Sequence, residues 1–174
     1  MATFALRLFG AASLDVATFE GLEADRSAMA QSVAVVVLSS LAAGFGVGGT
    51  DLPVFLVISL IALGSWIVWA FLMMQIGGRL LPGPDTHVDV AELLRTTGFA
   101  AAPGFLQVFA ILPNMRVPVF TITWIWMLAA MVVAVRQALD YTSTKRALAV
   151  CGLAWAVSLS VAIVLGLLFG PAAA

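Results

Sequence analysis

Five stretches of this chain are apolar over nearly the length that a helix needs to cross a bilayer. That length is roughly 20 residues for a hydrocarbon core of about 30 Å. They run from about Ala28 to Gly49, Pro53 to Ile76, Leu93 to Leu112, Val117 to Val135 and Ala147 to Gly170. The third is the shortest and is interrupted by Ala102-Pro103-Gly104. Polar residues are confined to short connections, and no soluble domain is inserted between the stretches. Charged residues make up 10% of the chain, against about 25% in a soluble domain. The expected fold is an all-α membrane protein. Residues 1–26 are read as an N-terminal amphipathic interfacial helix, and residues 27–174 as a bundle of five transmembrane helices.

The N-terminal reading rests on spacing. Phe4, Leu8, Ala12, Val16 and Phe19 recur at steps of four, four, four and three, which puts them on one helix face. Asp15 intrudes on that face, and Gly10 weakens the helix. The segment lacks the basic start, apolar run and small-residue cleavage site of a signal peptide. A helix lying on the membrane surface or against the bundle is expected.

Loop charge sets the orientation. With five crossings, Arg7, Arg26, Arg79, Arg95, Lys145 and Arg146 gather on one side, Arg136 lies at its border, and Arg116 stands alone on the other side. Basic residues concentrate in cytoplasmic loops, so the N-terminus is expected inside and the C-terminus outside. A re-entrant third segment would move Arg136, Lys145 and Arg146 across and remove the bias.

Arg136 ends the fourth apolar run, where its side chain can reach the headgroups. Asp140 follows at i+4, within pairing reach on a continuous helix. Glu20, Glu23 and Asp25 before the first stretch, Glu92 and Arg95 at the third, and Lys145 and Arg146 at the fifth crowd the same inner face, and are expected to form either a cytoplasmic polar network holding the helix ends or a docking surface. The spacing does not choose between the two. Gly98 and Pro103 mark a kinked, closely packed third helix. Ser40, Gly44 and Gly48 form a small-residue stripe suited to helix contact within the chain first and between copies second.

Little points to catalysis. His87 is the sole histidine and sits beside Asp85 and Asp89 in a loop, too few ligands for a metal site. Cys151 is the sole cysteine. No metalloprotease, hydrolase, phosphate-loop or paired-cysteine motif is present. No catalytic residue, metal or cofactor is expected. The formal net charge of −1 gives no electrostatic reason to expect a nucleic-acid partner. The middle of each apolar stretch lacks the ionisable residue that ion-coupled carriers commonly keep there.

Three segments together, "FEGLEAD", "ELLRTTGFAAAPG" and "MVVAVRQALDYTSTKRA", resemble the Yip (Ypt/Rab-interacting protein) domain family in a compact bacterial form. The resemblance covers about Leu14 to Gly170. It implies five spans with a cytosolic N-terminus, and a non-enzymatic scaffold or adaptor in membrane organisation or protein assembly. The family-like positions are Glu23, Asp25, Arg95, Gly98, Pro103, Arg136, Asp140 and Arg146, and the resemblance implies that the charged ones, Glu23, Asp25, Arg95, Arg136, Asp140 and Arg146, build one cytoplasmic-side polar cluster. Eukaryotic relatives bind Rab GTPases. This chain has only a short N-terminal extension, and its alanine-rich composition points to a bacterial inner membrane, so no GTPase partner is carried over. The expected partners are membrane lipids and other membrane proteins, copies of itself included. The alternative is a small permease or channel for a neutral or lipidic solute.

Overall fold

The computed structural model describes residues 2–83, 86 and 89–169, and every element among them is helical. Asp85 and His87 of the "DTHVD" loop, and residues 170–174, lie outside the described residues. In chain order the elements are α1 (Ala2–Ala12), α2 (Val16–Ala24), α3 (Ala28–Gly48), α4 (Leu52–Gln75) with a π-helical turn (Ile76–Leu80), α5 (Val90–Phe99), a 3-10 helix (Ala102–Ile111), α6 (Arg116–Ala138) and α7 (Thr144–Phe169). Four helices are long and apolar enough to cross a membrane: α3, α4 with its π turn, α6, and α7 through Val161.

Short acidic side chains set several helix starts. Asp51 accepts a hydrogen bond from the Val54 backbone N–H at 3.2 Å, and Pro53 occupies the first turn of α4. Asp89 caps α5 through the Ala91 N–H at 2.7 Å, and Asp15 caps α2 through the Thr18 N–H at 3.0 Å. Each satisfies one of the N–H groups that a helix start leaves without an internal partner. At the other end of α3, Gly49 takes φ 55° and returns its N–H to the Phe45 carbonyl at 2.8 Å. This left-handed geometry suits glycine.

The third apolar stretch differs from a plain kinked helix. It is α5 followed by ten residues of 3-10 helix. Pro103 has no N–H to donate at the point of change, and small residues from Ala100 to Ala102 leave the backbone free to tighten. The 3-10 form rises about 2.0 Å per residue against about 1.5 Å in an α-helix, so the stretch covers more length for its residues. It lies against α3 along its whole course. The Ser32 hydroxyl donates to the Leu94 carbonyl at 2.8 Å, and the Ser39 hydroxyl donates to the Ala101 carbonyl at 2.7 Å. Gly46 abuts the Gln107 carbonyl, and Gly49 abuts Ile111. The contacts advance together from Ser32 to Gly49 and from Leu94 to Ile111. Segment three thus runs beside α3, in the same direction, over about 25 Å.

The glycines of α3 divide between two neighbours, and those of the small-residue stripe share one of them. Gly44 and Gly48 face α4: a Cβ on Gly44 would lie 2.6 Å from the Phe55 carbonyl oxygen, and one on Gly48 would lie 2.5 Å from the Phe55 nitrogen. Gly46 instead admits the 3-10 helix, as Gly98 and Gly104 do from the other side, against Ser32 and Ser39. All these contacts lie within one chain. Pro103 is buried at the start of the 3-10 helix.

The N-terminus forms two short helices in place of the single amphipathic helix expected over residues 1–26. The break falls at Ser13–Asp15, where Leu14 takes φ 62° and Asp15 turns to cap α2. The reason is local: an aspartate offered to the Thr18 N–H starts a new helix rather than continuing the old one. Phe4, Leu8 and Phe19 still pack on the core, but Val16 is exposed. The two helices form a hairpin against α5, the 3-10 helix and α6. Phe4 meets the Phe99 ring edge-on at 6.2 Å. The Trp126 indole N–H donates to the Ala12 carbonyl at 2.6 Å. Trp126 lies near the middle of α6, so the end of α1 reaches well along the bundle wall.

Between α4 and α6, above a floor of α3 and the 3-10 helix, lies a cleft of about 330 Å³. Trp66, Trp69, Phe120 and Trp124 form much of its walls. Ile61 and Trp124 are exposed at its mouth.

Candidate functional site

Almost all the charged side chains gather at one end of the bundle, where α2 ends, α3, α5 and α7 begin, and α6 stops. The residues expected to cluster make their contacts there in three groups, with Asp140 of the third lying near Glu23 of the first.

Arg95 holds the first group. It is only 4% exposed. Its Nε donates to the Leu22 carbonyl at 3.1 Å, and its Nη2 donates to the Glu23 carbonyl. These carbonyls end α2 and would otherwise lack partners. One guanidinium therefore fastens the N-terminal hairpin to segment three, using the fixed fork of donors that arginine supplies. Glu92 lies 3.9 Å from the same guanidinium. The half-buried Glu23 carboxylate lies near Asp140, Glu92 and Glu20. Burial, then the repulsion of these three acids, raises its pKa from 4.5 to about 7 despite Arg95. Glu20 accepts a hydrogen bond from Gln137 of α6 at 3.0 Å.

Asp25 belongs to a second group. It pairs with Arg7 of α1, whose other nitrogen donates to Gln31 at 2.9 Å. Hydrogen bonds from the Ser27 side chain, then from Arg7, hold the Asp25 carboxyl at about 2, below its ordinary 3.8. Arg7 thus ties α1 to the start of α3, a role that the sequence spacing did not indicate.

The third group surrounds Tyr141. The expected Arg136–Asp140 pairing on one helix face is not formed. Among the described residues the ion pairs are Arg7–Asp25 and Arg95–Glu92. The reason is that α6 stops at Ala138. Asp140 takes φ 50°, its N–H returns to the Gln137 carbonyl, and the Tyr141 N–H returns to the Arg136 carbonyl, each at 2.9 Å. This is the paired C-terminal turn in which glycine usually occupies the left-handed position. Here Asp140 occupies it, and the turn directs its side chain away from Arg136. Arg136 donates instead to the Tyr141 carbonyl at 3.3 Å. The Tyr141 hydroxyl lies 2.9 Å from the Gly77 carbonyl of the π turn and 2.8 Å from the Leu81 carbonyl just after it. Arg146 stands over the Tyr141 ring at 5.8 Å and donates to the Pro82 carbonyl at 3.2 Å. Tyr141 therefore joins the ends of α4 and α6 and the start of α7. An aromatic residue in a polar loop was the available signal, and it was not used.

The acid group gives the protein a pH response. The folded state holds the Glu23 proton more tightly than the unfolded chain does. Its contribution is therefore full below about pH 4.5 and is lost as pH rises through about 7. Asp25 acts in the opposite sense and in a lower window, between 3.8 and about 2. Between pH 5 and 8 the thermal midpoint of the wild type is expected to fall, by about 1 kcal/mol of stability after solvent screening of a half-buried acid. Glu23→Gln, which cannot ionise, is expected to flatten that slope and to be the more stable form at pH 8. Parallel melting curves for the two proteins across this range would refute the assignment.

The chain matches the family model of the Yip1 domain over residues 3–166. No curated protein and no solved structure matches it. The match starts inside α1, earlier than the segments from Leu14 onward that carry the resemblance in sequence. It takes in the N-terminal hairpin, all four long helices and the broken third segment, and the chain belongs to the Yip1 domain family.

Proposed function

We propose that this integral membrane protein is a non-enzymatic scaffold or adaptor. It crosses the membrane five times, with the N-terminus in the cytoplasm and the C-terminus outside, in a bacterial inner membrane. Two observations support the fifth crossing. Segment three keeps pace with α3 over about 25 Å of a core about 30 Å thick, and five crossings put every basic residue but Arg116 on one side or at its border. The scaffold reading rests on one observation above others. At the charged end, arginines hold two helices by their backbone carbonyls or by single acids, while Glu20 and Asp140 remain exposed beside Glu23 and Glu92. A rigid acidic surface at a membrane boundary suits the recruitment of a basic partner segment. A photo-crosslinking residue at the exposed Thr142 is expected to give one discrete adduct in native membranes, and reversing Glu20 to lysine is expected to weaken it. Monomer alone under those conditions would count against the scaffold. The second reading, a permease for a neutral or lipidic solute, draws on the cleft between α4 and α6. Solute movement in liposomes carrying the purified protein would favour it.

A further inference from the structure

The same cleft contains polar groups that find no partner among the described residues. Its floor carries Ser39, Ser40 and Gln107. Ser39 is satisfied by the Ala101 carbonyl. Ser40, 6% exposed, has a hydroxyl that bonds to no described residue. Gln107, also 6% exposed, donates from Nε2 to Thr123 Oγ1 at 3.3 Å, while its Oε1 accepts from no described residue. Trp66, on the wall, keeps its indole N–H buried and without a partner among the described residues. The three groups share one lining, and a fully buried polar atom without a partner, as the Trp66 indole nitrogen is among the described residues, is one that folded proteins rarely leave unmatched.

The surroundings narrow what could match them. The cleft lies between helices long enough to span a bilayer, with its mouth among exposed apolar residues. Water does not supply hydrogen bonds in hydrocarbon. A plain acyl chain fills the space but satisfies none of the three groups. No charged side chain lines the cleft, so an ionised headgroup would be desolvated without compensation. A hydroxyl meets the need, because it donates one hydrogen bond and accepts two. It can give its proton to Gln107 Oε1 and receive from Ser40 or Trp66. The volume, about 330 Å³, lies at the lower end of small-ligand sites, enough for one chain rather than two.

We propose that this cleft is a binding site for one neutral long-chain lipid alcohol. Its tail lies among Trp69, Phe120 and Trp124, and its hydroxyl is held by Gln107, Ser40 and the Trp66 indole N–H. The site stands independently of the scaffold reading, since it uses none of the charged end.

The test uses the full chain in phosphatidylcholine vesicles. The probes are a photoactivatable hexadecanol and the matched hexadecane with the same reactive group at the same carbon. In the wild type, the alcohol is expected to label cleft peptides of α4 and α6 about five-fold more than the alkane, the preference that one hydrogen bond supports. In Gln107→Leu the two probes are expected to label equally. Equal labelling in the wild type would mean that the cleft holds ordinary bilayer chains only, and would overturn the proposal. So would an undiminished preference in Gln107→Leu. Should that variant fail to fold, Ser40→Ala and Trp66→Phe serve in its place. Each is expected to reduce the preference, and preference retained in both would overturn it equally.

Discussion

Arg95→Leu is expected to lower the thermal midpoint in detergent by roughly 10 °C, corresponding to about 3 kcal/mol. The leucine replaces a buried guanidinium that serves the Leu22 and Glu23 carbonyls together. Two carbonyls at the end of α2 then face an apolar wall without donors, and hydrogen bonds from charged groups are among the costlier ones to lose. Arg95→Lys is expected to recover only part of the loss, because an ammonium is a compact point charge and cannot fork to two carbonyls in fixed directions. The change also has a location. The hairpin of α1 and α2 is expected to become susceptible to protease near Ser13–Asp15, where the chain already leaves the helix. The long helices remain protected. An unchanged midpoint together with an intact hairpin would show that Arg95 is not the fastening.

The second large effect sets two glycines against each other. Gly46→Leu is expected to cost about 3 kcal/mol or to prevent folding. A Cβ there meets the Gln107 carbonyl and would lie 3.0 Å from the Ala110 Cβ, so the 3-10 helix would have to move as a body. Gly64→Leu, in the middle of α4, has no neighbour within 4 Å of the new Cβ. It is expected to stabilise by up to about 1 kcal/mol, because leucine is the better helix former. The same chemical change thus carries opposite signs at two glycines of adjacent helices. Melting both variants beside the wild type decides it. Similar losses at both positions would mean that the α3–3-10 contact is not the close approach described.

The same contrast separates what was legible in the sequence from what was not. The apolar runs from Ala28, Pro53, Val117 and Ala147 became α3, α4, α6 and α7 within a few residues at their starts. A long apolar helix is fixed by its own composition. In a bilayer, backbone groups must pair within the segment, so hydrophobicity and length suffice. The resemblance carried by "FEGLEAD", "ELLRTTGFAAAPG" and "MVVAVRQALDYTSTKRA" likewise led to the family, since those segments are local strings. Periodicity alone did not foresee the break at Leu14, because it counts apolar spacing and gives no weight to a capping aspartate.

The cluster at the charged end shows the other side. Glu23, Asp25, Arg95, Arg136, Asp140 and Arg146 were expected together from the family resemblance, but their partners were not readable. Arg136 and Asp140 were four residues apart on a helix that ended two residues too soon. Asp25 turned to Arg7, and Arg95 to two backbone carbonyls more than 70 residues away. What the chain by itself determined was which segments leave water and which end collects charge, since both follow from transfer free energies of local stretches. Which donor meets which acceptor was decided only when the helices packed. A hydrogen bond reaches about 3 Å, and only the tertiary arrangement brings such distant residues that close.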